Sequence, residues 1–167
     1  MNKKVYVING SGGVGKDTFA TFVGEYAKTM VISSVDPIKN LMRIMGWNGE
    51  KEERDRKFMS DLKDLCTNYN DYPMKYLIKE YNSFMEDEQL EVLFMHIREP
   101  KEIERAVKEF GATTIIITNP NVEQIKSNHA DANVCNYNYD FIVANDRDLE
   151  YFKLVAEVFC RHEYLVK

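Results

Sequence analysis

The chain has 167 residues, 44% of them hydrophobic, and a formal net charge of −5. That length suits one domain with a sizeable core, and the acidic balance argues against a general nucleic-acid binder. No apolar run approaches a membrane span, the N-terminus runs straight into a strand-like segment, and the three cysteines (Cys66, Cys135, Cys160) form no CxxC pair, so a cytoplasmic protein without membrane partners, disulfides or structural zinc is expected.

In chain order, residues 3–9 read as a buried strand carrying Val5, Val7 and Ile8. Gly10-Ser11-Gly12-Gly13-Val14-Gly15-Lys16-Asp17-Thr18 follows, and then a helix from about Lys16 to Lys28 with Phe19, Phe22, Val23 and Tyr26 on one face. Strand, glycine-rich loop and helix in this order make the setting of a phosphate-binding P-loop. Glycines let consecutive N–H groups turn toward one point, the helix N-terminus adds partial positive charge, and Lys16 adds a full one. A hydroxyl normally follows the lysine; here Asp17 does, and Thr18 supplies the hydroxyl one residue later.

Met30 to Val35 read as a second strand. Asp36-Pro37 has the look of an N-cap with proline at the first helical position, opening a helix that carries Ile38, Leu41, Met42 and Met45 and stops near Gly46. Residues 47–88 then read as an insertion of helices, one with Phe58, Met59, Leu62 and Leu65 and one opened by Pro73 with Met74, Leu77, Ile78, Tyr81 and Phe84. An insertion this long exceeds a plain crossover and is a natural place for a second-substrate pocket. Val92 to Met95 give a third strand, Glu99-Pro100 starts a helix ending at Gly111, Thr113 to Thr118 a fourth strand, and Phe141 to Ala144 a fifth. The polar, asparagine-rich stretch 119–139 reads as loop, and Asp146 and Asp148 open the last helix. Strands alternating with helices imply an α/β fold with a parallel sheet covered on both faces.

Several residues stand where ligands bind in such sheets, at the carboxyl ends of strands. Asp17 either acts on magnesium through bound water or is a favourable acid in the first helical turn. Asp36 either orients an acceptor hydroxyl, phosphate or magnesium water, or caps its helix. Lys39 and Arg43 lie four apart and can meet a second phosphate or form a solvated basic face. Arg98 follows strand three, where its planar fork suits a phosphoryl group. A Walker B acid is expected near here, but strand three offers His96, with Glu99 just beyond; a histidine satisfied by backbone is the plainer reading. Within the insertion, Arg54, Arg56 and Lys57 are a basic cluster among acids, and Arg56 is taken as an acceptor-phosphate candidate. Trp47, Tyr69, Tyr72 and Tyr76 can stack a base, with core packing expected for most of them.

With these residues in place, the chain resembles the P-loop nucleoside monophosphate kinases, and most of all the phage-type deoxynucleoside monophosphate kinases. Gly15-Lys16-Asp17-Thr18 matches the GKDT variant of the loop in that group, and Asp36-Pro37-Ile38-Lys39 is similar to its D-P-[IL]-K motif. Ile97-Arg98 and Phe110-Gly111-Ala112 resemble its I/T-R…G-A segment, Asn128-His129-Ala130-Asp131 a degenerate lid motif, and Asn145-Asp146 with Leu149 the turn bordering the adenine. The resemblance implies a three-layer P-loop kinase fold: a five-stranded parallel sheet, an ATP–magnesium donor site, an acceptor pocket under the insertion at about 47–88 and a lid at about 119–139. It implies that Lys16 and Arg98 stabilise the transferring phosphoryl group, with Asp36 beside them as a third catalytic candidate, that Thr18 supports the donor phosphates and metal, and that Asn145 borders the nucleotide. Two departures stand out. No arginine occurs from residue 106 to 146, so Lys126 and His129 are the basic residues of the lid, and His96 replaces the family's acid before Arg98.

Three readings follow. One is an ATP- and magnesium-dependent kinase of a (deoxy)nucleoside monophosphate. The second is a nucleotide-binding module with weak or no kinase activity. The third is a kinase of the same fold acting on another phosphorylated small molecule. A monomer or homodimer with small-molecule nucleotide substrates and no nucleic-acid partner is expected in each case.

Overall fold

Hydrophobic alternation along the first strand decides how the molecule is layered. In the computed structural model, which describes residues 3–50, 52–122 and 134–165, strand β1 (Lys4–Asn9) lies at the centre of a five-stranded sheet of order β2-β3-β1-β4-β5. The other strands are β2 (Thr29–Ser33), β3 (Val92–His96), β4 (Thr113–Thr118) and β5 (Phe141–Ala144). Every pairing is parallel. Tyr6 and Ile8 point to one face and Val7 to the other, so β1 is buried on both sides.

Six helices among the described residues cover the two faces: α1 (Lys16–Val23), α2 (Asp36–Ile44), α3 (Glu53–Asn70), α4 (Tyr72–Glu86), α5 (Pro100–Phe110) and α6 (Leu149–His162). On the Tyr6 face, α1 and α6 pack Phe19, Val23, Phe152 and Phe159 against Phe94. Phe19 has its ring 6.2 Å from Phe94 and 5.3 Å from Phe159, edge-on, a geometry that adds to plain area burial. On the Val7 face, α4 and α5 bury Met74, Leu77, Phe84, Ile103 and Phe110. No helix among the described residues is long and apolar enough to cross a membrane.

The α/β architecture with a five-stranded parallel sheet is the one expected from the sequence. Boundaries differ in three places. Helix α1 stops at Val23, not near Lys28: Gly24 keeps helical dihedrals, and the chain then tightens into a turn in which the Tyr26 and Ala27 N–H groups both donate to the Val23 carbonyl; a Cβ on Gly24 would lie 3.0 Å from the Thr21 carbonyl and 3.2 Å from Thr29 Oγ1. Strand β2 runs Thr29–Ser33 and ends before Val35, since the Ser33 N–H is taken by Asp36 Oδ2 at 2.7 Å. Asp36 is therefore no N-cap: it lies inside the first turn, Val35 holds the cap position, and the Asp36 carboxylate reaches back to the strand.

The insertion is the α3–α4 hairpin, turned at Asp71 with φ 58. Two ion pairs bind it to α5. Arg105 holds both carboxylate oxygens of Asp71 at 2.9 and 2.6 Å, and Lys63 meets Glu102 at 2.6 Å. The Arg105 guanidinium holds the Asp71 carboxyl below its ordinary range.

Candidate active site

Strand order places a crevice at the carboxyl edge of β1, where successive connections leave in opposite directions. The loop that fills it is tightly shaped. Gly10 has φ 142, and a Cβ there would lie 2.6 Å from the Ile117 carbonyl oxygen. Gly15 has φ 106 and occupies the cap position of α1; a Cβ there would lie 2.7 Å from Asn145 Nδ2. These are left-handed or strained conformations that glycine alone adopts without cost, and both positions are too close to neighbours for any side chain.

Within the loop, Lys16 Nζ donates to the carbonyls of Gly10 at 2.6 Å and Ser11 at 2.8 Å. The ammonium thus lies folded over the concavity with the N-terminus of α1 behind it. Ser11 and Val14 are buried, Gly12 and Thr18 half-buried, and Gly13 and Asp17 exposed. A concavity of backbone amides, a helix N-terminus and a lysine is the donor set of a polyphosphate site. The Thr18 hydroxyl and Asp17 carboxylate are hard oxygen donors at its rim, of the kind magnesium takes.

Asn145 and Asn9 hold this loop from both sides. Asn145 Nδ2 donates to the Val14 carbonyl at 2.9 Å, and its own N–H to Thr118 at 2.8 Å. The amide expected beside the nucleotide thus braces the P-loop. Asn9, fully buried at the end of β1, accepts from the Gly10 N–H at 2.8 Å and donates to the Arg98 carbonyl at 3.2 Å and to Tyr139 Oη at 2.7 Å. Tyr139 in turn donates to the Val134 carbonyl, and burial pushes its phenol up to about 12. Neither Asn9 nor Tyr139 stands out as a site residue in the sequence. The available signal was a polar residue closing an apolar strand directly before the first loop glycine.

Across the crevice, α2 presents Asp36 and Lys39, paired at 3.1 Å. Tyr76 on α4 lies in their field: burial and then the Asp36 charge push its phenol up. Between the two walls stands His96 at the end of β3. Asp17 and Lys16 act on it from the loop, Asp36 and Lys39 from α2. Burial pushes the imidazole down to about 4, so it is neutral near pH 7. Its Nε2 is enclosed and has no hydrogen-bond partner among the described residues, contrary to a backbone-satisfied histidine.

The structure thus gathers Lys16, Asp17, His96, Asp36 and Lys39 around one crevice, with Arg98 half-buried just beyond β3. Arg43 stands further out, exposed, bonded to Asn40 at 2.8 Å and 5.7 Å from the Trp47 ring. A cavity of about 510 Å³ beside it is lined by Met42, Trp47, Arg54, Asp55 and Phe58 among others. Its arginine is Arg54, whereas Arg56 lies on the half-buried side of α3. Tyr69 and Tyr72 are exposed against the expectation of core packing: Tyr69 lies on α3, which buries none of its side chains fully, and Tyr72 stands at the first position of α4, beside the Asp71 turn. The lid residues Lys126, Asn128, His129, Ala130 and Asp131 lie outside the described residues.

No protein-family model and no curated protein matches this sequence. Solved structures do share its fold. TT1252 from Thermus thermophilus superposes with a TM-score of 0.56 at 14% identity, covering 100% of both chains. A dephospho-CoA kinase from Campylobacter jejuni gives 0.52 at 18% identity over 96% of this chain and 97% of its own. A shikimate kinase from Aquifex aeolicus gives 0.50 at 12% identity over 95% and 96%. Over nearly its whole length the chain shares the α/β fold of these structures.

Proposed function

We propose that this chain transfers the terminal phosphoryl group of ATP to a small acceptor, and that the acceptor is a (deoxy)nucleoside monophosphate. The observation that carries the reading is the facing of the Gly10–Thr18 cradle and the Asp36–Lys39 pair across His96. One wall is built for a polyphosphate, and the other brings a carboxylate and a lysine to where an acceptor would present its nucleophile. The kinase fold of the neighbours, two of them kinases of small molecules, supports phosphoryl transfer. The GKDT loop and the aromatic-lined cavity beside α2 support a nucleotide as acceptor.

In this reading Lys16 leaves the Gly10 and Ser11 carbonyls to meet the donor phosphates. Arg98 spreads charge over the transferring group, and Lys39 draws in the acceptor phosphate while Asp36 orients it. Most of the acceleration then comes from positioning and charge neutralisation, since a phosphate oxygen is already an adequate nucleophile. Thr18 directly and Asp17 through water would hold magnesium, which when bound would neutralise phosphate charge. ADP-release assays over a panel of nucleoside monophosphates, shikimate and dephospho-coenzyme A test the reading. Turnover with a monophosphate, abolished by Lys16→Ala, supports it. Turnover with another member of the panel assigns a different acceptor.

A second reading is favoured by the lack of arginine from residue 106 to 146. Without an arginine clamp over the transferring group, the chain binds ATP and turns it over weakly or not at all. ATP affinity without turnover on any acceptor would select it.

A further inference from the structure

His96 is the one histidine that the topology brings between donor and acceptor walls among the described residues, and its chemistry there is unfinished. The Nε2 atom is shut off from solvent and bonds to nothing among the described residues. A buried N–H left in that state is costly, and a free ligand oxygen cannot reach an atom so enclosed without moving its cover. The nearest anionic partner is already adjacent: Asp17 Oδ1 lies 3.7 Å away. That is too long for a hydrogen bond, but a shift of roughly half an ångström or more brings the pair into the ordinary range. Asp17 has room to make that shift, because its side chain is 91% exposed and nothing packs it in place. Asp36, the other carboxylate acting on His96, already accepts from the Ser33 N–H and pairs with Lys39.

We infer that His96 is a positioning residue for Asp17: its Nε2–H fixes the Asp17 carboxylate at the rim of the phosphate cradle when a magnesium–nucleotide fills it. A neutral imidazole carries one N–H, and a carboxylate acceptor holds that proton on Nε2. Oδ1 is then committed to His96, and Oδ2 faces the cradle to accept from a metal-bound water. The inference rests on the nucleotide reading of the P-loop and adds the way Asp17 is held.

Calorimetric titration of ATP with magnesium, and of ATP with EDTA, into the unaltered protein and its variants tests the inference. The unaltered protein should bind ATP more tightly with magnesium. His96→Ala should shrink that gain about tenfold or more, the usual effect of losing an outer-shell partner, while affinity for metal-free ATP stays unchanged. His96→Gln, whose amide nitrogen reaches close to the Nε2 position, should restore most of the gain, and the shorter His96→Asn should not. Asp17→Asn should lose the same gain, with His96→Ala adding nothing on top. In the complex, imidazole nitrogen shifts should report the Nε2–H form and should change in Asp17→Asn. Equal gains in His96→Ala and the unaltered protein would overturn the inference. So would an equal loss with and without magnesium, or a Gln variant no better than Ala. Failure of the unaltered protein to bind ATP at all would overturn the nucleotide reading itself, an outcome visible without any variant.

Discussion

Helix α1 has 8 residues and buries Phe19, Ala20 and Val23; helix α3 has 18 and buries none. The P-loop wall and the insertion beyond α2 differ in the same way. On the P-loop side, backbone approach sets the shape: Gly10 against Ile117, Gly15 against Asn145, and the loop braced by Asn9. On the insertion side, α4 packs on the sheet through Met74, Leu77 and Phe84, while α3 stands off it, and the hairpin is clamped to α5 by Arg105–Asp71 and Lys63–Glu102. A wall made by packing is stiff, and changes in it are paid in stability. An insertion whose outer helix buries no side chain, held to α5 by one half-exposed and one largely buried ion pair, moves more readily.

The comparison can be broken at four points. Lys16→Ala should cause the largest loss, about 10²–10³-fold in turnover, the cost of removing one preorganised charge donor; ADP release at saturating ATP measures it. Gly10→Ala follows, at roughly 1–3 kcal/mol of stability or more, since it combines a strained φ with a backbone clash. Urea unfolding checks it, and a midpoint equal to that of the unaltered protein would contradict the stiff-wall account. Arg105→Ala should cost less than about 1 kcal/mol, because Arg105 and Asp71 are 50% and 38% exposed. Its effect belongs elsewhere: KM for the acceptor should rise while KM for ATP stays put, and 1 M salt should act in the same direction.

The remaining effect is on pH dependence. His96 is buried neutral with its pKa lowered to about 4, below its ordinary value of 6.5. Between those values the unfolded chain binds the proton that the folded one refuses. Stability should therefore fall as pH drops from about 6.5 toward 4. His96→Gln should flatten that part of the curve, as read by thermal unfolding across the range.

Local pattern made most of the scaffold readable. Alternation in Val5 to Ile8, the glycines before Lys16 and the i, i+3, i+4 face from Phe19 are signals within a few residues of one another, and the structure follows them. What escaped the sequence depends on partners far along the chain. Asn9 joins Gly10, Arg98 and Tyr139, the last two 89 and 130 residues away. Asp71 takes its turn opposite Arg105, 34 residues on. Asp36 is readable as a candidate site residue but not as one that bonds back to Ser33, since a carboxylate before proline has the same signature in either pose. His96 stands in the sequence where an acid is expected. That its Nε2 lies 3.7 Å from Asp17 depends on β3 being seated beside β1, with α1 leading Asp17 across the strand end.

The account stands on phosphoryl transfer across that crevice. Its most direct test is a single-turnover experiment with the protein in excess over ATP labelled at the γ-phosphate, mixed with magnesium and each nucleoside monophosphate in turn. The account predicts that label moves to one or more of the monophosphates and that Lys16→Ala leaves it on ATP. Bound ATP whose label stays in place, or passes to water alone, with every monophosphate would contradict it.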